Sequence, residues 1–198
     1  MHIRRAGPGD AAAVARVHCR QIPWGLLTQM GERFVTAFYA TLLASPRGFA
    51  FVAEEDGRVV GFASGVVGWR SFYREFVVRC PGLVLMASLR SLRTGRWRRL
   101  LETSRYAVAP DLPAAELVSV ALEPDCRGGG VGAALVRHAV DEFARRGITA
   151  VRVTAGAANA PAARLYRRVG FRPVGQQEFH PGVAAAVYVL DLHAAGRP

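Results

Sequence analysis

The chain has 198 residues, 51% of them apolar, which is enough for one domain with a sizeable core and too little for several. Its formal net charge is +11, and all 26 basic residues are arginine; it has no lysine and one asparagine, Asn159. Part of that bias matches a GC-rich coding habit, but a basic surface still favours anionic ligands or acidic partners. Cys19, Cys80 and Cys126 form neither a metal-ligand spacing nor an even disulfide set, MHIRRAGPGD lacks an apolar signal core, and the longest apolar run, near 82–89, is too short for a bilayer. The expectation is a cytoplasmic protein that holds no metal.

In chain order, residues 2–5 read as a first strand, Gly7-Pro8-Gly9 as a turn, and Asp10 as the N-cap of a helix carrying Ala13, Val14 and Val17. The spacing of Phe34, Val35, Phe38, Tyr39 and Leu42 predicts a helix over 28–43, stopped by Pro46-Arg47-Gly48. Two apolar strands, 49–54 and 59–67, flank an Asp56-Gly57 hairpin signal. Residues 70–106 differ in texture, with nine arginines against two acids, Glu75 and Glu102, and read as two amphipathic helices broken near Thr94-Gly95. Beyond Pro110 and Pro113 come a strand (116–122), a helix (130–145), a strand (150–154), a helix (159–169) and two last strands (171–179 and 184–192). Strands at both ends with strand–helix units between them imply an α/β (α+β) fold, a mixed sheet with helices on its faces. The whole chain reads as one domain, 1–198, with a helical arginine-rich insertion at about 70–106.

The chemistry centres on LVSVALEPDCRGGGVG, residues 117–132. A strand, a glycine loop and a helix start present unpaired backbone N–H groups to a phosphate, and Arg127 adds a positive charge. A nucleoside-triphosphate loop is excluded because the chain has no lysine for the G-K-[ST] step. A dinucleotide loop fits formally, with Gly128, Gly130 and Ala133 as G-x-G-x-x-A, but the next strand ends at Thr154-Ala155-Gly156 without an acid for the ribose.

Arg127-x-x-Gly130-x-Gly132 after an apolar strand resembles the acetyl-CoA loop of the GNAT N-acetyltransferase superfamily. Asn159-Ala160-Pro161-Ala162-Ala163-Arg164-Leu165-Tyr166 followed by Gly170-Phe171 resembles its second motif, N-x-x-A-x-x-L-Y-x-x-x-G-F, with the single asparagine at the motif's asparagine position. Ile3-Arg4-Arg5-Ala6 with Asp10, and Val59-Val60-Gly61-Phe62, are similar to its first strand and hairpin. The resemblance covers 1–69 and 107–192 and is silent over the insertion. It implies a mostly antiparallel sheet of about seven strands, splayed between strands 4 and 5, and acetyl transfer from acetyl-CoA to a primary amine of a small molecule or peptide. A non-catalytic CoA- or partner-binding module, a basic nucleic-acid binder or a Rossmann-type nucleotide binder are the competing readings.

In the roles the resemblance implies, the backbone of Val120, Ala121 and Leu122 meets the pantetheine arm, with the Leu122 N–H on the acetyl carbonyl. Amides of Arg127, Gly128, Gly129, Gly130, Val131, Gly132 and Ala133 wrap the pyrophosphate. Asn159 caps its helix and reaches the arm, with Ala162 beside it. Tyr166 is the acid for the leaving thiolate. Glu116 stands where one branch of the superfamily carries its base, with His180 as second candidate or water instead; Thr154 stands where another branch has a glutamate. His18 reads as ordinary surface or core. Cys126 has no visible His partner and is not read as a nucleophile. The insertion reads as a lid bringing Arg70, Arg74 and Arg79 to an anionic acceptor, as a homodimer contact, as a membrane-surface helix pair, or as solvated arginines on core-packed helices; nucleic acid and membrane partners are disfavoured.

Overall fold

The computed structural model describes residues 1–93, 112–180 and 183–192. Its elements are β1 (His2–Arg5), α1 (Ala11–Gln21), α2 (Leu26–Gln29), α3 (Glu32–Ala44), β2 (Gly48–Glu55), β3 (Arg58–Val67), α4 (Trp69–Arg79), α5 (Pro81–Arg93), β4 (Ala115–Leu122), α6 (Val131–Arg145), β5 (Ala150–Gly156), α7 (Ala160–Val169), β6 (Arg172–His180) and β7 (Val183–Asp191). The seven strands form one sheet in the order β1-β2-β3-β4-β5-β7-β6. Every pairing is antiparallel except β4 with β5. A single parallel pair is not the all-parallel sheet of a dinucleotide fold, which removes the Rossmann alternative.

Period-two alternation sends apolar side chains to both faces of this sheet. Phe49, Phe51 and Ala53 of β2 and Val60 and Ala63 of β3 pack with Leu135, Val136, Ala139 and Phe143 of α6. Val52, Val59, Phe62 and Val66 turn the other way, onto Val14 and Val17 of α1 and Val35, Phe38 and Tyr39 of α3. The hairpin between β2 and β3 turns at Asp56 (φ 50°) and Gly57 (φ 74°), the left-handed pair an Asp-Gly turn supplies.

Gly65 leaves room for the core on the α6 face. A Cβ there would stand 2.5 Å from Cζ of Phe49 and 2.6 Å from Cζ of Phe143. Gly65→Ala is expected to destabilise the fold by about 1–3 kcal/mol through overpacking, read as a fall in Tm of roughly 2–4 °C per kcal/mol. An unchanged melting curve would contradict this packing.

One local expectation is corrected, one is refined, and one unexpected break is found. Asp10 stands at the start of α1 but makes no side-chain cap. Its carboxylate instead accepts two bonds from the Arg4 guanidinium, both at 2.8 Å, and one from the Gly7 N–H at 2.8 Å. The helix expected over 28–43 is two helices, because Gly31 takes φ 98° and Thr28 turns its hydroxyl back to the Ile22 carbonyl at 2.7 Å. In the insertion the chain breaks between α4 and α5, at Cys80. Pro81 lacks an N–H and disfavours helical geometry in the residue before it, and Cys80 has φ −129° and ψ 50°. The break expected at Thr94-Gly95, with 94–106 of the insertion, lies outside the described residues. The described part is tied to the core: Phe72 and Phe76 of α4 are buried and stack edge-on with Phe38 at 5.4 and 5.8 Å.

A cleft between parted strands

The site begins where two strands stop pairing. β4 and β5 are in register at Ala115↔Val151, Glu116↔Arg152 and Leu117↔Val153 and no further, although β4 continues to Leu122 and β5 to Gly156. The departure coincides with a bulge. β3 pairs Ser64 with Ser119 and Gly65 with Leu117, so Val118 is the extra residue, and a bulge bends its strand away from a neighbour.

Backbone direction past the bulge follows from one hydrogen bond. The Glu123 N–H donates to the Val60 carbonyl on β3 at 2.8 Å. Peptide groups alternate sides along a strand, so Ala121 and Ser119 also face β3. Val120 and Leu122 therefore turn their amides into the gap. The gap opens into a cleft of about 1580 Å³, walled by 118–122 on one side and by 154–156 on the other.

The glycine loop closes one end. Arg127 donates its N–H to the Pro124 carbonyl at 3.1 Å, Gly128 (φ 91°) and Gly130 (φ 79°) take left-handed geometry, and α6 starts at Val131. The amides of Gly128 to Ala133 find no acceptor among the described residues, and the first amides of a helix cannot be paired within it. A Cβ added at Gly128, Gly129 or Gly130 would meet nothing within 4 Å, so the loop stands beside open space. Gly132 differs: its Cβ would sit 3.3 Å from a Leu122 methyl and 3.7 Å from Leu165, so it lets α6 pack on β4 and α7. Gly129 and Val131 line a smaller hollow of about 430 Å³ beside Met1–Ile3, which Gly130 shares. Arg127 does not reach outward as a bare charge. Its guanidinium donates to the Leu122 carbonyl at 3.3 and 3.2 Å and to Gln21 Oε1 at 2.8 Å, tying the loop to the end of β4 and to α1.

α7 supplies the facing side chains. Asn159 Oδ1 accepts the Ala162 N–H at 3.1 Å, an N-cap as expected, and Asn159, Ala162 and Tyr166 all line the cleft. Tyr166 is 5% exposed, with its ring 5.8 Å from each of Phe171 and Tyr188. Its hydroxyl makes no hydrogen bond to a described residue. Burial, and then the neighbouring Tyr188, push the phenol above the ordinary tyrosine range, so it carries its proton at neutral pH.

Glu116 lines the cleft where β4 and β5 still pair, and crosses to its register partner on β5. Its Oε2 accepts from Arg152 Nη2 at 2.7 Å and Nε at 3.1 Å, while Oε1 receives no bond from a described residue. Burial raises its pKa and Arg152 pulls the other way; burial prevails. The backbone of His180 ends β6, and its side chain lies outside the described residues. Cys126 has its thiol raised by burial and by Glu55, Glu123 and Asp125, the opposite of an activated nucleophile. Among the described residues no group of three or more His, Cys, Asp or Glu could hold a metal ion. None of the described helices is long and apolar enough to cross a membrane.

Of the opposite wall, the sequence had pointed to Arg70 and Arg74 and missed the other residues. His18, Ile22 and Gly25 from α1 and the segment after it, and Trp69, Arg70, Tyr73 and Arg74 from α4, line the same cleft. Arg70 and Arg74, one helical turn apart, have no acidic partner among the described residues, whereas Arg79 is held by Glu75 at 3.0 Å. Arg164 and Arg168 of α7 repeat that spacing on the cleft's other side. Both pairs were visible as i, i+4 arginines, but only the fold shows that they face one space.

This architecture is that of an acetyltransferase fold, and comparison with known proteins agrees. The model of the Acetyltransferase (GNAT) family matches residues 18–171, and the chain belongs to that family. It is 38% identical over 60 residues to the [ribosomal protein bS18]-alanine N-acetyltransferase of Escherichia coli K12, a match spanning 30% of this chain and 40% of that protein. Over 74 residues it is 34% identical to the mycothiol acetyltransferase of Beutenbergia cavernae, covering 37% of this chain and 25% of that one. The chain thus spans under half the length of these curated relatives. Among solved structures, yncA of Salmonella typhimurium with its cofactor acetyl-CoA superposes with a TM-score of 0.63 at 23% identity, covering 100% of this chain and 97% of the other. The Thermoplasma acidophilum PaiA N-acetyltransferase in complex with coenzyme A gives 0.60 at 13% identity, with 96% and 99% covered.

Proposed function

We propose that this chain transfers an acetyl group from acetyl-CoA to a primary amine, within the cleft between β4 and β5. The observation that carries the reading is the joint placement of three features: strand amides turned into a gap, unpaired amides at the start of α6, and a protonated phenol lining the space between. The pyrophosphate would rest on the amides from Arg127 to Ala133, where the helix dipole adds roughly 0.3–1 kcal/mol. The pantetheine arm would run down the gap past Asn159 and Ala162, replacing with its own amides the strand pairing that β5 withdraws. Leu122 lies beside the loop, with its carbonyl taken by Arg127, so the Val120 N–H, two residues deeper, is better placed than that of Leu122 for the thioester carbonyl. Either amide stabilises the oxyanion that forms on attack because it is aimed beforehand. Tyr166 would give its proton to the departing thiolate.

An amine is mostly ammonium at neutral pH and must lose a proton before attack. Glu116 is the best-placed carboxylate for this, directly or through water, using the oxygen that Arg152 leaves free. Glu116→Gln should lower kcat/KM and flatten its acid limb. The wild-type rate should fall as pH drops through a carboxyl pKa above the ordinary value, since the base works only when ionised. An unaltered acid limb in the variant would remove Glu116 from the role.

The acceptor is proposed to be anionic. Arg70 and Arg74 are exposed residues of the cleft wall with no carboxylate partner among the described residues. In a thiol-release assay over amino acids, acidic peptides, amino sugars and polyamines, Arg70→Ser with Arg74→Ser should raise KM for carboxylate-bearing amines about tenfold or more, the scale of one or two charge-assisted bonds. KM for acetyl-CoA should not move. Equal effects on carboxylates and polyamines would contradict an anionic acceptor.

A further inference from the structure

His18 was expected to be ordinary surface or core, and the structure gives it a different character. It is 2% exposed near the end of α1 and lines the acceptor side of the cleft. Its Nε2 is, among the described residues, the one buried side-chain nitrogen or oxygen without a hydrogen-bond partner. Such an atom costs stability unless something else satisfies it. The Nε2 edge faces the segment after α1, where a Cβ on Gly25 would stand 3.8 Å away, and both His18 and Gly25 border the cleft.

The other ring nitrogen is fixed. Nδ1 lies 2.7 Å from the Tyr39 hydroxyl, and the ring stacks on Phe62 with centroids 6.2 Å apart. Burial keeps the proton on the Tyr39 phenol, and among the described residues the one hydrogen-bond partner of its hydroxyl is His18 Nδ1. The Tyr39 proton therefore goes to Nδ1. The imidazole proton then sits on Nε2, which becomes an N–H donor at the cleft wall. Burial lowers the His18 pKa to about 4, so the ring is neutral where the enzyme would work. A neutral ring with its proton on Nε2 has no lone pair there for an ammonium proton, so His18 is not a base for the amine.

We infer that His18 is a specificity-determining residue whose Nε2–H binds an oxygen carried by the acceptor amine, a carboxylate or carbonyl oxygen close to the reacting nitrogen. His18 and Val120 line the same cleft, and His18 is buried where Arg70 and Arg74 are exposed; the recognised oxygen therefore sits further from solvent than the groups those two arginines would meet. The inference rests on the acetyltransfer reading of the cleft and names the substrate feature that this wall selects.

The test is histidine-ring 1H–15N correlation spectroscopy of the whole chain with coenzyme A, titrated with glycine, glycinamide, ethanolamine and propylamine. His18→Phe assigns the signals. The expected result is a neutral His18 with a proton on Nε2 that shifts on addition of glycine or glycinamide and not of propylamine. A proton on Nδ1, or no shift with any oxygen-bearing amine, overturns the inference. A shift with ethanolamine alone overturns the carbonyl and carboxylate assignment. Thiol release separates the two readings. If His18 responds to glycine but no amine releases thiol, binding stands and acetyl transfer falls. If thiol is released and His18→Phe leaves KM for every amine unchanged, transfer stands and this inference falls. Where both hold, His18→Phe should raise KM for the oxygen-bearing amines about tenfold with KM for acetyl-CoA constant, and His18→Gln, which keeps an N–H near Nε2, should recover part of that loss.

Discussion

Gly130→Glu is expected to abolish measurable coenzyme A binding, a loss of at least a hundredfold in Kd, or about 3 kcal/mol. Three effects act in one direction. Gly130 holds φ 79°, where a residue with a Cβ is strained by about 1–2 kcal/mol. The new carboxylate would occupy the open space that the loop faces, because a Cβ there meets nothing within 4 Å. It would also place a negative charge where the dipole of α6 and the amides of Gly128 to Ala133 are proposed to receive the pyrophosphate. The same open surroundings leave the core untouched, so the variant should fold. Gly130→Ala carries only the strain and should lose roughly tenfold or less. Isothermal titration calorimetry with coenzyme A reads both; affinity for the Glu variant within a few-fold of wild type would show that the loop is not the phosphate site.

Tyr166→Phe is expected to lower kcat by about a hundredfold to ten-thousandfold, the range of a lost general acid, while KM for acetyl-CoA stays within about twofold. The separation follows from the geometry. The ring is what packs against Phe171 and Tyr188, and phenylalanine keeps it. Only the hydroxyl is lost, and it holds no described partner within the protein. Because burial raises the phenol's pKa, the wild-type hydroxyl stays protonated as pH rises through the ordinary tyrosine range. The basic limb of the wild-type kcat profile should therefore not bend at that range. An unchanged kcat in the variant would return the proton to solvent.

The sequence made the donor side of the site legible and the acceptor side largely not. Gly128, Gly130 and Asn159 announce themselves because backbone geometry leaves few residues that serve: two left-handed positions and one N-cap. Hydrophobic spacing placed α6 and α7 to within a residue, since each buries one apolar stripe. What local pattern does not encode is the parting of β4 and β5. That depends on a bulge at Val118 seen only in the pairing with β3, and was expected only through the family resemblance. Arg127 shows a second limit. Its charge was read as free for phosphate, yet its guanidinium is held by Leu122 and Gln21, the latter far away in sequence. Glu116 and Arg152 show a third: two residues on separate strands become an ion pair only when the register Glu116↔Arg152 is known. His18 is the clearest case. A lone histidine at the end of an amphipathic helix reads as core, and only the partner on Nδ1 together with the want of one on Nε2 distinguishes it.

Acetyl transfer to an amine is proposed to take place in the gap between β4 and β5. It is tested most directly by incubating the protein with acetyl-CoA and an amine panel of amino acids, peptides, amino sugars, polyamines and aminoglycosides, while following free thiol and the mass of the amine together. The predicted result is thiol release in equal amount with an amine heavier by one acetyl group, strongest for an acceptor bearing a carboxylate and lost in Gly130→Glu. Retained coenzyme A with no thiol released above hydrolysis by any amine in the panel would contradict it, and would leave a protein that holds the cofactor without using it.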